Sequence, residues 1–159
     1  MSDHRQVLPK ISRSCARIIC LDPEGRILLL RWRDPLSGRM KWEPPGGGME
    51  SGETPFQAAR RELVEETGLP PDLIEPASIE IDRQYQWNGR EVEGREWYYV
   101  AHLSSGDVDA TGMLASETEQ FLGYRWLEPQ ELKALGDAVE PPQLNDIVEQ
   151  LAKPRGVRR

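Results

Sequence analysis

Between Gly47 and Leu69 the chain carries five glutamates: Glu50, Glu53, Glu62, Glu65 and Glu66. At about 100° per helical residue, Glu65 and Glu66 fall roughly 60° and 40° to either side of Glu62. Three carboxylates then share one face. Crowded acids repel one another unless a multivalent cation lies among them, and all-oxygen donors suit hard ions such as Mg²⁺. Such an ion in an acidic protein is well placed for work on phosphates. Arg61 can organise the set, because a planar guanidinium fixes carboxylates by bidentate hydrogen bonds, and Glu53 is a candidate partner for it. Gly47 and Gly48 let backbone approach closely, so a carbonyl can complete the oxygen shell. The competing reading is a solvated helix face, with Arg61 a simple i, i+4 partner of Glu65.

The elements that must position these groups are well signalled. Thr54 can cap a helix, Pro55 fits its first position, and Gln57 completes a capping box; Gly68 and Pro70 close it. Phe56, Ala59 and Leu63 form its apolar stripe. Cys15–Leu21 and Ile27–Arg33 read as a strand hairpin around the turn Asp22-Pro-Glu-Gly-Arg26, and 34–40 as a polar loop. Two prolines and three glycines keep Trp42–Gly48 out of a helix. Residues 77–87 and 95–103 read as strands joined through the hairpin signal Asn88-Gly89, followed by a short strand at 123–127. A short helix begins at Glu128, and Leu144, Ile147, Val148 and Leu151 mark an amphipathic helix. Strands and helices lack a βαβ rhythm, so the class is α+β, with helices packed on a mixed β-sheet.

The chain has 159 residues, 38% of them hydrophobic and 30% charged, as expected of one globular domain spanning 1–159. Residues 1–12 and the basic tail 153–159 read as loosely ordered ends. A net charge of −7 argues against duplex DNA, nucleic acid in general and anionic membranes as partners. No apolar run has the length of a membrane span, and no signal-peptide pattern opens the chain. Cys15 and Cys20 have odd strand spacing, point to opposite faces and suit a reducing cytoplasm as ordinary buried thiols. A sheet edge or the surplus of aromatics leaves room for a homodimer.

From Gly47 to Leu69 the residues follow G-x5-E-x7-R-E-U-x-E-E-x-G-U, with U aliphatic, at all nine specified positions. In this the chain resembles the Nudix (MutT-like) hydrolase family. No Walker A or dinucleotide-binding glycine pattern competes with it. The resemblance implies an α/β/α sandwich and Mg²⁺- or Mn²⁺-dependent cleavage of a phosphoanhydride in a nucleoside diphosphate derivative. It further implies that Glu62, Glu65, Glu66 and the Gly47 carbonyl ligate metal, and that Glu62 acts as general base. Glu53 would orient neighbours, and Arg61 would hold the carboxylates. Many members add a carboxylate from a loop near the C-terminal strand; Glu117 and Glu119 are the candidates, with Glu119 taken into the catalytic set.

Substrate recognition lies outside that motif. Trp32, Trp42, Tyr85, Trp87, Trp97 and Trp126 are available for stacking, though tryptophans chiefly fill cores. Tyr85 stands sixteen residues past the motif, where family members that hydrolyse dinucleoside polyphosphates carry a tyrosine. Gln84 replaces the proline expected of ADP-ribose hydrolases. Arg31, Arg33, Tyr85 and Trp87 are therefore the substrate-binding candidates, with Arg39 and Lys41 also in reach. A nucleoside triphosphate or dinucleoside polyphosphate is favoured. A silent nucleotide-binding module and a hydrolase of non-nucleotide diphosphates are the alternatives.

Overall fold

A computed structural model describes residues 7–104 and 106–152. The order is β1 (Lys10–Ser12), β2 (Cys15–Leu21), β3 (Ile27–Arg33), β4 (Met40–Glu43), β5 (Gly46–Gly48) and α1 (Pro55–Thr67). Then follow β6 (Ile74–Trp87), β7 (Arg90–His102), α2 (Ala115–Thr118), β8 (Phe121–Leu127), α3 (Pro129–Ala134) and α4 (Leu144–Ala152). The eight strands make one mixed sheet in the order β1-β7-β2-β3-β4, with β5 on β2, β6 on β7 and β8 on β3. This is the expected α+β class.

The hairpin β2–β3 is paired only at Leu21–Ile27, next to its turn. Beyond it the strands part. β2 runs parallel to β7 and antiparallel to β5, whereas β3 takes antiparallel β4 and β8 as neighbours. Alternation along the strands feeds two cores. Ala16, Ile18, Leu28 and Leu30 pack with Ala59 and Leu63 of α1 on one face. Ile19, Leu29, Tyr98 and Val100 pack with Leu132, Leu144 and Ile147 of α3 and α4 on the other. Helices thus cover both faces of the sheet.

One expectation changes. Residues Lys10–Ser12 are not loose: they pair in parallel with Glu91–Glu93 of β7. The pairing exists because β7 runs beyond the end of β2 and offers free backbone groups there. The tail at 153–159, and residues 1–6, lie outside the described residues. Both cysteines are buried free thiols, with Cys20 in the core under α1.

Candidate active site

Helix α1 presents its acids as its caps dictate. Thr54 Oγ1 accepts from Gln57 N at 3.1 Å, and Gln57 Oε1 accepts from Thr54 N at 2.9 Å, so the capping box closes. Gly68 ends the helix in the left-handed conformation, φ 69°. With the helix thereby fixed, Leu63 fills the core while Glu62 and Glu66 are buried beside it and Glu65 is part-exposed.

Arg61 gathers this face. Its Nε and Nη2 donate to the two oxygens of Glu53 at 2.8 and 2.9 Å. Nη1 donates to Glu62 at 2.9 Å and to Glu65 at 3.1 Å, and Nη2 also reaches the Gly48 carbonyl at 2.9 Å. Glu53, eight residues before Arg61, is therefore tied to the helix acids through one guanidinium. That bonding holds the Glu53 carboxyl down at about 2.

The glycine entry meets the same acids. Gly46 N donates to Glu66 Oε1 at 2.6 Å. A Cβ on Gly47 would lie 2.7 Å from Glu62 Oε1, so only glycine leaves room for that carboxylate against the backbone. Gly46 has φ 146° and packs on the Ala16 carbonyl, which again requires glycine. Arg17, buried in β2, donates from Nη1 to the Gly46 carbonyl at 3.2 Å and so braces this turn from below.

Burial raises the Glu66 carboxyl well above the usual range, and the charge of Glu62 adds to it. Burial also raises Glu62, against the opposing pull of Arg61. Positive charge close to these acids would favour their ionised forms. The donor set is all oxygen, which suits a hard divalent cation. Among the described residues, no three acidic, histidine or cysteine groups converge on one point as arranged, Arg61 lying between Glu62 and Glu65. By the chemistry of its oxygen donors, though not by their present convergence, the set fits a divalent ion.

Beside the helix lies a cleft of about 140 Å³, reached by Glu66, Gly46, Arg17, Lys41, Tyr85 and Trp87. Trp32, Glu43, Arg13 and Glu117 also line it. Lys41 Nζ stands 4.0 Å from the Trp87 ring centroid and 5.5 Å from that of Tyr85. Glu43 forms ion pairs with Lys41 at 3.1 Å and with Arg17 at 3.3 Å; burial pushes its carboxyl up, but these two cations hold it at about 2.

Residues 12–147 match the family model described as NUDIX domain. The chain belongs to the Nudix family. Among curated relatives of this Nudix hydrolase is the RNA pyrophosphohydrolase of Erythrobacter litoralis. It is 30% identical over 133 residues, covering 77% of this chain and 80% of the relative. The RNA pyrophosphohydrolase of Dinoroseobacter shibae is 31% identical over 150 residues, covering 87% and 88%. Solved structures share the fold. A MutT protein from Methanosarcina mazei Go1 superposes with TM-score 0.61 at 20% identity, covering 92% of this chain and 96% of that one. A C. elegans Ap4A hydrolase in a binary complex gives 0.59 at 18% identity, covering 88% and 95%. The chain is a Nudix pyrophosphohydrolase, a family that acts on phosphoanhydride bonds and generally uses divalent metal ions.

Several expected site residues of this Nudix hydrolase lie elsewhere. Arg31 and Arg33 alternate with Trp32, which faces the cleft, so they do not line it. Arg31 instead stacks 5.4 Å from the Trp42 ring, and Arg33 is exposed. Glu119 is exposed at the end of α2, while Glu117 lines the cleft and its charge helps raise Glu62. Two residues of helical turn separate them by about 200°, so only one can face inward. Tyr85 and Trp87 do line the cleft, yet Lys41 lies over their rings. Arg39 pairs with Glu140 instead. Arg13, Arg17 and Glu43 were missed as site residues. The available signal was charge inside strands: Arg17 in a run of seven buried residues, and Lys41 and Glu43 flanking Trp42.

Proposed function

We propose that this Nudix hydrolase removes pyrophosphate from a 5′-polyphosphate whose remainder stays outside the cleft, with the 5′-triphosphate end of RNA as the preferred substrate. The carrying observation is the size of the cleft. At about 140 Å³ it lies below the roughly 300–1,000 Å³ of pockets that enclose a whole small ligand. It grips phosphates and leaves the nucleoside at or beyond its mouth. The relatives named RNA pyrophosphohydrolase support the RNA end in particular. The net charge of −7 weighs against a surface that tracks a long nucleic-acid backbone. A single 5′ end asks only for a phosphate pocket. A dinucleoside polyphosphate is the second reading, favoured by Tyr85 at the family position noted above. A cytoplasmic location belongs to the same reading, since Cys15 and Cys20 are free thiols.

Glu62, Glu65, Glu66 and the Gly47 carbonyl would hold Mg²⁺ or Mn²⁺. When bound, the ion supplies positive charge against the pyrophosphate oxygens and makes water easier to deprotonate. Glu62 takes the proton as water attacks the α-phosphorus in line, and the α–β bridging P–O bond breaks with its electron pair leaving on the departing pyrophosphate. Arg61 and Glu53 keep Glu62 and Glu65 aimed. The negative charge of Glu117 makes Glu62 the stronger base for that proton.

The test compares a 5′-triphosphorylated RNA oligonucleotide, a dinucleoside tetraphosphate and a free nucleoside triphosphate, each with Mg²⁺ and with Mn²⁺. The RNA is expected to give the highest kcat/KM. A free nucleotide turned over more efficiently than the RNA would overturn the RNA assignment. Binding of all three without turnover would leave a silent nucleotide-binding module.

A further inference from the structure

Lys41 and Trp32 are direct cross-strand partners of β3 and β4, and both line the cleft. Each is unusual on its own. The Trp32 indole is 6% exposed, and its Nε1–H is buried with no acceptor among the described residues. A buried indole N–H normally finds a partner, because leaving it unpaired forfeits its hydration. Lys41 is likewise 6% exposed, although lysine is almost never so buried without a reason. Its ammonium is caged by Trp87, Tyr85 and Glu43.

The cage leaves positive charge over. A chain of ion pairs runs from Lys41 through Glu43, Arg17, Glu96, Arg83 and Glu140 to Arg39. That is four cations to three carboxylates, so the ionic chain that ends at Lys41 in the cleft carries one positive charge in excess. Of the three ammonium protons, one serves Glu43, and the ring faces take the cation without accepting along a lone pair. An orphan N–H donor and a donor-rich cation on adjacent strands make an anion site. Lys41 covers one face of each of the Tyr85 and Trp87 rings, so that side of the cleft offers a compact anion, such as a phosphate, more than it offers a base.

We propose that Lys41 and Trp32 form a phosphate subsite that binds the phosphate lying beyond the cleaved anhydride, so that the enzyme counts phosphates. This rests on the reading of the cleft as the grip for a polyphosphate end, and it deepens that reading. Direct binding of inorganic probes tests it without needing RNA or turnover. Diimidotriphosphate and imidodiphosphate, which resist hydrolysis, are titrated calorimetrically with Mg²⁺ present. The wild type binds the three-phosphate probe about tenfold tighter, the worth of one charge-assisted contact. Lys41→Met and Trp32→Phe each shrink that ratio at least threefold, while imidodiphosphate affinity stays within about twofold. Lys41→Arg restores most of the ratio. Equal loss for both probes, or an unchanged ratio in the variants, overturns the subsite. Should Lys41→Met fail to fold, as shown by circular dichroism, Trp32→Phe, which keeps an aromatic side chain but lacks the N–H, decides. If the ratio behaves as expected but triphosphorylated RNA is not hydrolysed, the RNA reading fails and the subsite stands.

Discussion

Every nitrogen of the Arg61 guanidinium is engaged, Nε with Glu53, Nη1 with Glu62 and Glu65, and Nη2 with Glu53 and the Gly48 carbonyl. A lysine there keeps the charge but offers a single point donor, which cannot span this fork. Arg61→Lys is therefore expected to lower kcat by about 10–100-fold, as the carboxylates lose the fork that aims them, and to lower the thermal midpoint with it. Steady-state kinetics beside a melting curve checks this. Glu66→Gln makes a different point. The amide oxygen can still accept from Gly46 N, and the cost of ionising a buried acid disappears. Turnover should fall by orders of magnitude while metal-free stability at neutral pH holds or rises. A variant that works like wild type would remove Glu66 from the proposed ligand set. The Gly47–Leu69 motif residues could be read from their types and spacing, and Lys41 could be named a phosphate contact from its place just before them. Arg17 could not, because what fixes its role is a three-dimensional ionic chain across strands far apart in sequence.

Helix α1 was legible to the residue because its signals are local. Cap, proline at the first position and glycine at the end each act on their own turn of backbone. Thr54→Ala removes the cap and is expected to cost about 1 kcal/mol in denaturant unfolding. The strand β1 was illegible for the opposite reason, since its partner among the described residues is the far hairpin strand β7. The glycine strand β5 separates two demands. Gly47→Ala pushes against the flexible Glu62 carboxylate, so it should hurt activity at least tenfold while leaving the fold near its original stability. Gly46→Ala meets fixed backbone at φ 146°, so it should destabilise by several kcal/mol. Comparing the two melting curves with the two rates distinguishes a site defect from a folding defect.

Across the whole molecule, the carboxylates pull stability in opposite directions as pH changes. Glu43 and Glu53 sit at about 2, below the ordinary 4.5, so their contribution is present above 4.5 and lost as pH falls towards 2. Glu62 and Glu66 are raised above 4.5, so the native state keeps protons that the unfolded chain releases. Their contribution is present below 4.5 and lost as pH climbs through the folded values. Without metal, the thermal midpoint should crest near the ordinary carboxylate range and decline towards neutrality. Mg²⁺ favours the ionised form and should flatten that decline. Melts from pH 3 to 8 in chelator and in Mg²⁺ check it; identical curves at pH 7.5 would count against a cation among these acids. The parting of β2 from β3 just past Leu21–Ile27 has a further consequence for the history of such a protein. The chain forks there, with Arg17 and the glycine entry on one prong and Lys41 and Glu43 on the other. Drift along Met40–Glu43 can retune which anion is admitted while the glutamate helix, anchored to the first prong, keeps its chemistry intact.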